Sequence, residues 1–128
     1  MADEVHEVRK LSGHSGSVRS VAFSTDNKWL ATGSYDTTAR LWNPATGEYL
    51  RSCAGLSSTV LALAFSADGA LLASGCRDTI VRLWNPAMGA LVCACKGHSG
   101  AVRAVTFAKS GKLLASGSED KTMRLWDA

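Results

Sequence analysis

The sequence predicts an all-β protein made of three copies of one four-stranded unit, and three observations carry that prediction. "GHSGSVRSVAF" at Gly13 returns as "GHSGAVRAVTF" at Gly97, with a weaker copy, "GLSSTVLALAF", at Gly55, so both steps are 42 residues without insertion or deletion. The same step carries Phe23 onto Phe65 and Phe107, Asp36 onto Asp78 and Asp120, and Trp42 onto Trp84 and Trp126. Between these markers lie short apolar, β-branched runs bounded by Gly, Pro, Asn and Asp, and no stretch holds a helical period. A period of this size marks a repeat architecture. The phase holds along the whole chain, which leaves no place for a domain boundary. Residues 1–128 therefore read as one unit, with an outer strand at 5–12 and repeats at 13–54, 55–96 and 97–128.

Within a repeat the first strand is "SVRSVAFS" and the second "WLATGS". "TDNK", "ADGA" and "KSGK" join them in the three copies. Asp-Asn, Asp-Gly and Ser-Gly tolerate the positive φ angles of tight hairpins. A turn carrying Asp36, Asp78 or Asp120 leads to the third strand, "TARLWN", "TIVRLWN" or "TMRLWD". "PATG" and "PAMG" then make Pro-to-Gly turns into a weaker fourth strand, "EYLRSC" or "ALVCAC". The third repeat has no fourth strand after Trp126. Stepping back 42 residues from the fourth strands reaches "VHEVRKLS" at 5–12, with Val8 in phase with Leu50 and Arg9 with Arg51.

Composition narrows the function class. Of 128 residues, 46% are hydrophobic and 20% charged, the balance of a folded, non-membrane domain, and no apolar run is long enough to span a bilayer. "MADEVHEVRK" lacks the apolar core of a secretory signal, so an intracellular, cytoplasmic location is expected, with the nucleus also compatible. The net charge of +3 is spread along the chain and forms no basic stripe, which argues against a nucleic-acid surface. Cys53, Cys76, Cys93 and Cys95 lack metal-ligand spacing and read as reduced thiols acting as small hydrophobes. No cofactor or metal site is expected.

Gly-His, a strand, "LASGS", Asp, and "RLW" followed by Asp or Asn resemble the WD40 repeat, and the resemblance covers nearly the whole chain. It implies β-propeller blades, here three in one chain as a partial propeller, each a radial four-stranded sheet. Trp-Asp itself stands only at Trp126-Asp127, and the middle copy has Leu56 where the others have His14 and His98.

His, Ser or Thr, and Asp in one unit also suit a hydrolase. The resemblance implies instead that His14, Thr32, Asp36 and Trp42 form a hydrogen-bonded structural tetrad, repeated by His98, Ser116, Asp120 and Trp126. Such a constellation recurs in phase, whereas a catalytic site is normally made once. Ser74, Asp78 and Trp84 lack the histidine, so the middle blade is expected to be the least stable. Arg40, Arg82 and Arg124 recur as part of the frame.

The resemblance implies an interaction scaffold whose loops around His14 and Asp36 open on the top of the ring. Ser17, Arg19, Tyr35, Thr59, Leu61, Arg77, Arg103 and Glu119 differ between copies there and are the expected contacts for a protein or peptide partner. Three blades make an arc with complementary pieces at its two ends. Together with the initial Met1, this predicts a protomer that pairs strand 5–11 with the strand ending at Trp126 of a second copy. A six-bladed homodimer ranks first and a nine-bladed homotrimer second. The alternative is a segment of a larger propeller.

Overall fold

The computed structural model describes residues 5–128. Its first sheet holds β1 (Val18–Phe23), β2 (Leu30–Ser34), β3 (Ala39–Trp42) and β4 (Tyr49–Ser52). The second holds β5 (Val60–Phe65), β6 (Leu72–Cys76), β7 (Val81–Asn85) and β8 (Ala90–Cys95). The third holds β9 (Val102–Phe107), β10 (Leu113–Ser118) and β11 (Met123–Asp127). Neighbours in sequence are neighbours in each sheet, and every pairing is antiparallel. Among the described residues there is no helix.

Turn chemistry sets the hairpins. Asn27, Gly69 and Gly111 take φ of 61°, 72° and 74° between the first and second strands, at the Asp-Asn, Asp-Gly and Ser-Gly positions. Gly47 and Gly89, with φ of 78° and 70°, open the way into β4 and β8. Each first strand also carries a bulge. Val18 pairs with Ser34 and Ser20 with Gly33, leaving Arg19 outside the register, and Leu61 and Arg103 are passed over in the same way.

The core lies between the sheets. β5 packs across β1 and β2, and β9 packs across β5 and β6. Ala31, Ala39 and Leu41 of the first sheet meet Val60, Leu63 and Leu72 of the second. Ala73, Val81 and Leu83 of the second meet Val102 and Leu114 of the third. Full burial of a Leu or Val contributes about 1.5–3 kcal/mol. The middle sheet is covered on both sides, so four successive residues of β5 are buried, whereas most of β1 and β9 is not.

The third sheet has three strands, in line with the lack of a fourth strand after Trp126, but the strand expected at residues 5–12 does not form. The reason is one of partners, since a lone extended segment has no ladder to join. The free edge it would complete, β11, lies on the opposite end of the arc.

Candidate functional site

Each outer blade contains a buried chain of hydrogen bonds linking its second strand, its third strand and two loops. In the first, Trp42 Nε1–H donates to Thr32 Oγ1 at 2.8 Å. Thr32 Oγ1 lies 2.7 Å from His14 Nε2, and His14 Nδ1 lies 2.8 Å from Asp36 Oδ2. Because the hydroxyl already accepts from the indole, its own proton goes to Nε2, which leaves Nδ1–H to donate to the carboxylate. In the third blade Trp126 and Ser116 are 2.8 Å apart, Ser116 and His98 2.7 Å, and His98 and Asp120 2.9 Å. The backbone N–H groups of Ser15 and Ser99 add a further bond to Asp36 and Asp120.

Burial works against ionisation of Asp36, but hydrogen bonds from Thr38, His14 and the backbone outweigh it and hold the carboxyl below the usual range. The Thr122 hydroxyl is the main cause of the same shift at Asp120. Thr38 and Thr122 were not legible as members of the network, although "DTT" and "DKT" place a hydroxyl two residues after the aspartate. The Thr32 and Ser116 hydroxyls are buried, with both hydrogen-bonding roles in use.

The middle blade is arranged differently. Trp84 still donates to Ser74, at 2.9 Å, and Leu56 packs against the core between the first two blades. Asp78 is bound by Arg82, whose Nη2 lies 2.8 Å from Oδ2 and Nη1 3.3 Å from Oδ1. Arg40 and Arg124 instead lie beside Gly13 and Gly97, so the three frame arginines do not share one role. The carboxylate thus keeps a charged partner despite the loss of histidine, although no hydrogen bond joins it to Ser74.

Among the expected partner-facing residues, backbone bonds pair the positions blade by blade. Tyr35 N–H donates to Ser17 O at 2.9 Å, Arg77 N–H to Thr59 O at 3.0 Å, and Glu119 N–H to Ala101 O at 2.9 Å. Arg19 lies 4.8 Å and Arg77 5.8 Å from the centre of the Tyr35 ring, so two blades contribute to one cationic and aromatic cluster. Arg103 pairs with Glu119 at 3.5 Å on the surface. Leu61 departs from expectation, because it is buried and offers no side chain to a partner.

Cys53 and Cys76 are buried, and burial pushes their thiols up to about 12 and about 11. Cys93 is exposed and Cys95 half-buried, so only Cys53 and Cys76 of the four free thiols are packed in the core as small hydrophobes. Among the described residues no helix is long and apolar enough to cross a membrane, and no three His, Cys, Asp or Glu side chains gather as metal ligands.

The curated protein pleiotropic regulator PRL2 of Arabidopsis thaliana is 56% identical over 39 residues, which is 30% of this chain and 8% of that protein. Notchless protein homolog from the same plant is 45% identical over 42 residues, covering 33% and 9%. Pre-mRNA-splicing factor PRP46 of Yarrowia lipolytica is 50% identical over 40 residues, covering 31% and 9%. The matched stretches thus span less than a tenth of these relatives. Two solved structures, described as U3-55K and as RRP9 WD40 repeats, superpose with a TM-score of 0.90 at 28% and 29% identity. Each covers 94% of this chain, which in turn spans 38% of theirs. Residues 6–43, 47–85 and 89–127 match the family described as WD domain, G-beta repeat, and the chain belongs to that WD40 family.

Proposed function

We propose that this chain is a non-enzymatic protein-interaction scaffold that completes a propeller ring by head-to-tail association with copies of itself. The observation that carries the reading is the position of residues 5–12. Arg9 Cδ lies 2.9 Å from where a Cβ on Gly47 would sit, and one repeat later Arg51 Cδ lies 3.5 Å from the same point on Gly89. Residues 5–12 therefore lie against the first blade as β4 lies against the second. Though they form no strand here, they occupy the place of an outer strand, while β11 is a sheet edge with no strand beyond it. Bare edges and exposed apolar faces both favour association.

Two copies give six blades at about 60° and three give nine at about 40°, and the former falls within the usual range of blade numbers. Light scattering is the test. An oligomer is expected, and deleting residues 1–12 should convert it to an open, aggregating chain. A stable monomer indifferent to that deletion would favour a second reading, in which the chain is a segment of a larger propeller. The 38% share of the matching solved chains supports that alternative.

Partner binding is assigned to the face carrying Arg19, Tyr35 and Arg77, flanked by Ser17 and Thr59 and, on the third blade, by Arg103 and Glu119. Aromatic and arginine side chains are the usual energetic anchors of protein contacts. Replacing Tyr35, Arg77 and Arg103 with alanine should abolish pull-down of a protein partner and leave the melting curve nearly unchanged. Loss of binding from substitutions at Glu48 alone, on the opposite loops, would place the partner elsewhere. The buried hydroxyls of Thr32 and Ser116 support a non-catalytic role, and no turnover of generic esters or peptides is expected. The names of the splicing-factor relatives favour a nuclear over a cytoplasmic location.

A further inference from the structure

The blades join by one repeated contact. A Cβ on Gly33 would lie 2.4 Å from Val60 Cγ1, and a Cβ on Gly75 would lie 2.6 Å from Val102 Cγ1. No side chain fits at such distances, so each glycine is a hole that admits the valine opening the next blade. The step of 42 that relates these pairs leads back to Val18 and on to Gly117. Val18 is 51% exposed, whereas Val60 and Val102 are both 0%. Around Gly117 a Cβ would meet only Ala104 Cβ of its own blade, at 3.8 Å. There the surface opens into an apolar depression of about 230 Å³, lined by Ala104, Thr106, Ala115, Gly117 and Met123 among others.

The surroundings repeat as well. Leu41 is 0% and Leu83 3% exposed beneath the following blade, but Leu125 is 71% exposed. The residues that cover the first two leucines belong to the sets Leu63 and Phe65, then Val105 and Phe107. Their equivalents in the first blade, Val21 and Phe23, stand exposed. One end of the arc thus carries a knob without a hole, and the other a hole without a knob.

We infer that Val18 of one chain seats in the Gly117 depression of a second copy, with Val21 and Phe23 covering Met123 and Leu125. This rests on the self-association proposed above and specifies its joint. The occupant is a second copy because this chain itself presents the shape that fills the same hole twice internally. The joint is heterologous, with a different surface from each chain.

The test uses the full chain with Gly117→Val, which plugs the hole, and Val18→Glu, which puts a charge on the knob. Gly117 lies in a strand with room for a side chain in its own blade, so the plugged chain should keep its circular dichroism spectrum. Each variant alone should run as a monomer by light scattering. An equimolar mixture should form a dimer that goes no further, since only one intact knob and one intact hole remain. Gly117→Ala, a milder change, should raise the dissociation constant roughly tenfold or more. If both variants assemble as the wild type does, the joint is overturned while self-association stands. If the wild type is itself a monomer, both fall, and a blade from elsewhere covers these faces.

Discussion

Thr32 Oγ1 sits at the centre of its blade because it accepts from an indole and donates to an imidazole at once. Removing either ring leaves a buried polar group short of a partner. Trp126→Phe keeps most of the apolar bulk but strips Ser116 of its donor, and it should cost about 1–3 kcal/mol in a denaturant titration. Acid tests the other end of the chain. The folded-state carboxyls of Asp36 and Asp120 lie below their unfolded value of about 4. Their contribution is complete above that value and is lost as pH falls through the folded one. Melting temperature should therefore drop below pH ~4, and the drop should be shallower in Asp36→Asn. The members of the tetrads were legible through the resemblance to the WD40 repeat, and their recurrence in phase argued for a structural over a catalytic role. The Arg82 to Asp78 pair was not legible, since the sequence shows a histidine missing but not which side chain can reach its carboxylate. Leu56→His would remove an apolar contact and compete with Arg82, so it should destabilise by about 1 kcal/mol rather than restore a network.

For the strands, pattern and turn chemistry agreed so closely that β1 to β11 follow the expected segments with their ends trimmed by a residue or two. The strand expected at 5–12 failed for a physical reason, because a strand is defined by its neighbour and this one has none within the arc. The bulges in the first strands were also invisible, since Val-Arg-Ser and Val-Leu-Ala alternate no differently from regular strand. The burial of Leu61, the residue passed over in the β5 bulge, was equally hidden. Blade packing gives a paired prediction. Gly75→Ala forces a methyl against Val102 and should cost about 1–3 kcal/mol. Gly117→Ala, at the equivalent point of the open blade, should be nearly neutral to the folding of a dilute monomer. Equal effects at the two positions would show that the glycines serve the strand and not the joint.

At the scale of the whole molecule, the proposed ring closure would tie stability to concentration. A protomer that closes a ring gains folding free energy by mass action, so its melting temperature should rise with protein concentration, which differential scanning calorimetry reads directly. A melting temperature independent of dilution would mean that the three blades stand alone despite Val18, Met123 and Leu125. The fold was recoverable in sequence because its information is local and repeated three times. The way the ends are satisfied is not local.

The knob and hole lie at matching points of every unit, and this bears on inheritance. A crossover that aligns Val18 with Val60, or Val60 with Val102, deletes or adds one whole blade and reseals the chain without a seam. Each recombinant still begins its arc with a valine knob and ends it with a glycine hole. Blade number can therefore drift from one descendant gene to the next without altering the contact that joins one blade to the next.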